Sequence, residues 1–118
     1  MHGKEPPEDL APWLPSAPTA APGGAAAADA FDMYMIGTQE AERSIEKSLI
    51  NPSKNKWIGK LNAALGDGFA LVASHSLAAI HLAVYVRRDL LPEVGQVASS
   101  HVSCGIANTL GNKGGVAV

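Results

Sequence analysis

The stretch Asp32-Met-Tyr-Met-Ile-Gly-Thr-Gln-Glu40 decides how the rest of the chain is read. Four large side chains, Met33 to Ile36, follow one another without a break. A short continuous apolar run of this kind predicts a strand covered on both faces, over residues 32–37. Gly37, Thr38, Gln39 and Glu40 come next, and the end of a strand in a layered α/β protein is where ligands gather. Two readings of Glu40 stand side by side. A carboxylate held at a strand end is a good ligand for a hard cation. It is equally a solvated side chain in the loop leaving the strand.

Composition narrows the field. The chain has 118 residues, the size of one domain or a piece of one. Hydrophobic residues make up 47%, but alanine inflates that figure, and aromatics are only 5%. The expected core is therefore modest. A net charge of −2 gives no electrostatic footprint for nucleic acid or an anionic membrane. The lone cysteine, Cys104, excludes an internal disulfide framework and fits a reducing, cytoplasmic setting. The first seven residues contain no apolar segment of the signal-peptide type. Residues 69–86 are apolar enough to raise the membrane question. His75, His81 and two serines interrupt them and Arg87-Arg88 close them, so they read as two strands and not as a span.

Around the opening strand the chain divides in two. Residues 1–30 are a Pro/Ala/Gly-rich segment, expected to be a flexible stretch or long loop. Six prolines disfavour helix and central strand, and the Gly-Ala run offers little apolar area against its ordering entropy. Within it, Trp13 between Leu10 and Leu14 is placed to pin the segment to a surface. Residues 31–118 carry the regular elements. Ile45 and Leu49 suggest a short helix over 41–50, stopped by Asn51-Pro52. Ser53 is an N-cap for a second helix whose apolar face is Trp57, Ile58, Leu61, Ala64 and Leu65, ending at Gly66 and Gly68. Strands are expected over 69–75 and 79–86, the second burying Ile80, Leu82, Val84 and Val86 on one face. A helical turn over 87–91 is closed by Pro92. An extended Ser-rich segment over 94–106 leads to a turn at 111–115 and a strand starting at Val116. Strands and flanking helices together give an α/β or α+β layered fold.

Gly111-Asn-Lys-Gly-Gly115 is the second stretch with chemical content. Its glycines let backbone approach an anion and Lys113 adds a point charge. Its plain reading is a tight hairpin turn with an exposed lysine. It matches neither a P-loop nor a dinucleotide fingerprint. The four histidines show no ligand spacing, which argues against zinc; His75 reads as a hydrogen-bonded structural histidine. Cys104 reads as a small buried residue without a base partner, and Arg87-Arg88-Asp89 as a surface ion cluster.

Taken together, the 32–40 stretch and Gly105-Ile-Ala-Asn-Thr-Leu-Gly-Asn-Lys-Gly-Gly-Val-Ala-Val118 resemble the inositol polyphosphate 5-phosphatases of the endonuclease/exonuclease/phosphatase superfamily. Val86-Arg-Arg-Asp-Leu90 sits where that family has a strand followed by a short basic stretch. The resemblance covers residues 31–118 in order. It implies an α/β fold: part of a four-layer α/β/β/α sandwich of the DNase I type, mainly antiparallel and incomplete. It implies a Mg2+-dependent phosphoric monoester hydrolase acting on phosphoinositides or inositol polyphosphates. Glu40 would be the Mg2+ ligand and Gln39 its neighbour, with Asn112 and Lys113 near the substrate phosphates. Any peripheral membrane contact would come through a longer protein.

The family's opening Thr-Trp-Asn strand is absent, and Met1-His2-Gly3 resembles the residues just after it. Its Asn-Ser-His, Gly-Asp-x-Asn, Pro-x-Trp-Cys-Asp-Arg and Ser-Asp-His segments, which carry the acid, base and phosphate-gripping groups, are absent too. The expectation is an interior fragment of the catalytic domain, inactive alone. Two other readings remain at this point. One is a non-catalytic interaction fragment using its Pro-rich start. The other is an abasic-site endonuclease, disfavoured because Ala41 stands where those proteins place Lys.

Overall fold

A computed structural model describes residues 7–14, 31–39, 55–105 and 113–118. The expected helix over 41–50, the Ser53 cap, Glu40 and Asn112 lie outside these residues. Three strands form the main sheet: β1 (Met33–Gln39), β2 (Phe69–Leu77) and β3 (Ile80–Arg87). All pairings are antiparallel and the order is β1-β3-β2, so β3 is central. One helix, α1 (Asn55–Leu65), precedes β2. A second sheet pairs β4 (Ser100–Ser103) with β5 (Gly114–Ala117), also antiparallel.

The helix forms where its apolar spacing predicts. Trp57, Leu61 and Leu65 are buried, Ile58 and Ala64 partly so, which puts one stripe against the sheet. Gly66 ends the helix with a left-handed φ of 66°, a conformation that costs glycine nothing. The stripe meets Tyr34, Phe69, Ala83 and Tyr85 from the sheet. The Tyr85 hydroxyl donates to Asn62 Oδ1 at 2.9 Å, tying the central strand to the helix. Burial pushes the Tyr85 phenol up to about 12, so it stays a neutral donor.

Leu10 and Leu14 also belong to this core, and Trp13 stands edge-on to Trp57 with ring centroids 5.7 Å apart. Part of the proline-rich start therefore does supply core side chains. A 3-10 turn at Ala11–Trp13 presents them, with Trp13 N–H donating to the Leu10 carbonyl.

Three expectations need correction. β1 is an edge strand with one covered face, carrying Tyr34, Ile36 and Thr38. Met33 and Met35, on the other face, are 49% and 71% exposed. On β3 the deepest side chains are His81, Ala83 and Tyr85, opposite to the face expected; as the central strand it also buries Val84 and Val86. Cys104 is exposed. Its backbone N–H donates to the Lys113 carbonyl at 2.8 Å, extending the β4–β5 pairing while its side chain faces solvent. A smaller difference is that Pro92 lies within the 3-10 segment Arg88–Glu93 rather than after it. The ion cluster holds for Arg87 and Asp89 and takes in Asp32, while Arg88 donates to the Asp67 carbonyl. Arg87 donates to Asp89 at 2.6 Å and to Asp32 at 2.7 Å, and its hydrogen bond holds the Asp89 carboxyl below the usual range.

The second sheet packs on the β2–β3 hairpin through both of its strands. Gly114 on β5 sits so close to β4 and to the β2–β3 turn that a Cβ there would strike the Val102 carbonyl oxygen and come within 2.8 Å of Leu77 Cδ2. His75 on β2 reaches across to Ser99 and to His101 on β4. Among the described residues no helix is long and apolar enough to cross a membrane; residues 69–86 are the β2–β3 hairpin.

Candidate functional site

The C-terminal end of β1, the start of β3 and the start of β5 enclose a cleft of about 450 Å3. Thr38 and Gln39 come from the first, His81 from the second, Gly114 and Gly115 from the third. Register explains the gathering. β1 and β3 are antiparallel, so the last residues of β1 lie opposite the first of β3: Thr38 faces His81 and Gln39 faces Ile80. The glycine pair then brings β5 against that end, because nothing larger than hydrogen fits at position 114.

The fold thus brings together the two stretches that the sequence singles out. Gln39 is exposed at the cleft. Glu40 follows it directly in the chain and lies outside the described residues, as does Asn112. Lys113 is exposed at the head of β5, and its carbonyl is fixed by the Cys104 N–H. Of the Gly-Asn-Lys-Gly-Gly stretch, Gly111 and Asn112 lie outside the described residues. Gly114 and Gly115 already belong to β5, so the strand starts two residues before the expected Val116, and both glycines line the cleft.

Sequence reasoning missed two lining residues. His81 is 1% exposed, with Nε2 3.0 Å from Ser74 Oγ. Period-two alternation placed it on the outward face. Thr38 is 7% exposed, and its hydroxyl has no hydrogen-bond partner among the described residues. A buried hydroxyl left unpaired costs about 1–3 kcal/mol in proteins. Its place beside Gln39-Glu40 was a signal available in the sequence.

The Thr38 hydroxyl and the Gln39 amide oxygen are neutral oxygen groups of the kind a hard cation takes, but they leave β1 on opposite faces, Thr38 on the buried one and Gln39 on the exposed one. No cluster of three His, Cys, Asp or Glu exists among the described residues.

The family model for endonuclease/exonuclease/phosphatase family 2 matches residues 1–118. The chain belongs to that family. Among curated relatives, the type II inositol polyphosphate 5-phosphatase 15 of Arabidopsis thaliana is 33% identical over 105 residues, covering 78% of this chain and 10% of the relative. The type II inositol 1,4,5-trisphosphate 5-phosphatase of Mus musculus is 31% identical over 122 residues, covering all of the chain and 11% of the relative. The phosphatidylinositol 3,4,5-trisphosphate 5-phosphatase 2B of Danio rerio is 32% identical over 124 residues, covering all of the chain and 9% of the relative. The chain spans about a tenth of the length of these relatives. Antiparallel sheets with a helix packed on one of them fit part of the family's α/β, DNase I-like domain. The resemblance drawn from the 32–40 and 105–118 stretches agrees with the match.

Proposed function

We propose that this chain forms the metal-and-phosphate side of a 5-phosphatase catalytic site acting on phosphoinositides or inositol polyphosphates. The observation that carries this reading is the cleft in which the Gln39 end of β1 meets Gly114-Gly115. Glu40 holds Mg2+, with Gln39 beside it. Asn112 and Lys113 bind substrate phosphates, Lys113 as a point charge and the glycine backbone by close approach. A bound Mg2+ ion supplies charge neutralisation and Lewis-acid polarisation to phosphoryl transfer. The chain's own contribution is placement: a strand fixed by seven paired positions along β3, and a second sheet packed on the β2–β3 turn through Gly114.

The family segments that carry the general base, phosphate grip and transition-state histidine do not occur in this sequence. We propose that the chain alone does not turn over and that catalysis belongs to a longer cytoplasmic protein, which also makes any peripheral membrane contact. The test is phosphate release from an inositol polyphosphate in Mg2+ buffer. The longer protein should be active, and Glu40→Ala should lower its rate by about a hundredfold or more. Wild-type rates in that variant, or turnover by the isolated chain, would overturn the reading.

A further inference from the structure

We propose that His75 and His101 form a second, separate metal site, a two-histidine chelate for a borderline divalent cation such as Zn2+ or Ni2+, bridging the two sheets. His75 Nε2 and His101 Nδ1 lie 2.9 Å apart. Nitrogens bound at adjacent positions of such an ion, each about 2.0–2.1 Å from it, stand roughly 2.8–3.4 Å apart. The pair is therefore already at chelating separation, with ring centroids 5.1 Å apart. The other nitrogen of His75, Nδ1, lies 2.9 Å from Ser99 Oγ. Metal-bound histidines characteristically give their second ring N–H to an oxygen, which fixes the tautomer and turns the remaining lone pair outward. Protonated at Nδ1, His75 donates to Ser99 and offers Nε2 to the ion. Without metal, one proton occupies the N–H···N contact. The ion displaces this contact and sits off the N–N line, with both rings turned so that their lone pairs converge on it and His101 in its Nε2–H tautomer.

Ligand chemistry separates this site from the cleft. Imidazole prefers Zn2+, Ni2+ and Cu2+, whereas Mg2+ prefers oxygen. Among the described residues no third His, Cys, Asp or Glu joins the pair, so water completes the coordination and the site is open to solvent. The ligands are 26 residues apart, one on β2 and one on β4, which is why no ligand spacing marks them in the sequence. Because the ion links the two sheets, binding also stabilises their docking.

The test is calorimetric titration of the metal-stripped 118-residue chain with Zn2+ and with Ni2+, in buffer containing excess Mg2+. One equivalent should bind. His75→Gln and His101→Gln should each weaken binding at least tenfold and abolish the metal-induced rise in melting temperature. His2→Gln should leave both unchanged, and Ser99→Ala should give a smaller loss. Nitrogen-15 imidazole spectra give a second readout, in which His75 Nε2 and His101 Nδ1 should shift on Zn2+ addition. Binding that survives both glutamine variants, binding lost only in His2→Gln, or unshifted imidazole nitrogens would overturn the site.

Discussion

Thr38 and His81 face each other across β1 and β3, and both are buried where the two strands open into the cleft. The Thr38 hydroxyl has no partner among the described residues, immediately before the Gln39-Glu40 pair. A valine there would have the same shape and no hydroxyl to leave unpaired. Thr38→Val should therefore leave the fold intact and raise stability by about 1 kcal/mol in urea unfolding. In the longer protein the same change should reduce phosphate release. Lower stability together with full activity would show that the hydroxyl serves the fold alone.

Gly114 is hemmed in by β4 of its own sheet and by Leu77 of the main sheet. Gly114→Ala forces both the β4 backbone at Val102 and the Leu77 side chain to move, and overpacking of this kind costs about 1–3 kcal/mol. The expected result is a lowered unfolding midpoint with loss of amide protection in β4 and β5 before the main sheet. Gly115 meets only Val102 Cγ1 at 4.0 Å, so Gly115→Ala should be much milder.

The helix is held chiefly by Trp57, which has 0% of its surface exposed and packs on Trp13. Trp57→Ala should cost about 3–5 kcal/mol, a large part of the whole stability of a domain this size. Far-ultraviolet circular dichroism and the melting temperature would report it. Trp13→Ala, at an exposed ring, should cost clearly less.

Alkaline stability follows from Tyr85. Its folded value is raised by burial from 10.0 to about 12, so between these values the folded state holds a proton that the unfolded state has lost. Stability is thus unaffected below pH 10 and falls as pH rises through about 12. Tyr34 is raised in the same direction and for the same cause. Tyr85→Phe removes part of this alkaline loss. At neutral pH it costs about 1 kcal/mol through the lost bond to Asn62. Stability measured at several pH values for both proteins checks the sign.

Much of the fold was legible because it rests on local periodicity. The Trp57-Leu61-Leu65 stripe, the Gly66 stop and the β2–β3 hairpin all depend on neighbours in sequence. What failed depended on strand order. Alternation says that a strand has two faces, but not which face meets the helix, so His81 and Tyr85 were assigned outward. A continuous apolar run suggested a fully covered strand, yet β1 is at the edge and leaves Met33 and Met35 in solvent. Cys104 looked like a small core residue, but its backbone closes a strand pair whose side chains point out. Of the site, Gln39 was legible from its place at a strand end. The sharing of one cleft by β1 and β5 was not, because it depends on how β5 pairs with β4 and packs on the β2–β3 hairpin.

The central claim is that the Gln39-Glu40 end of β1 and the Lys113-Gly114 start of β5 serve one site. The most direct measurement is a double-mutant cycle on phosphate release, with Glu40→Ala, Lys113→Ala and the double variant made in the longer protein. Residues acting on the same phosphoryl group should be coupled by about 0.5–3 kcal/mol, so that the double variant loses less activity than the two single losses combined. Strictly additive losses, or a Lys113→Ala variant with wild-type kinetics, would contradict the claim.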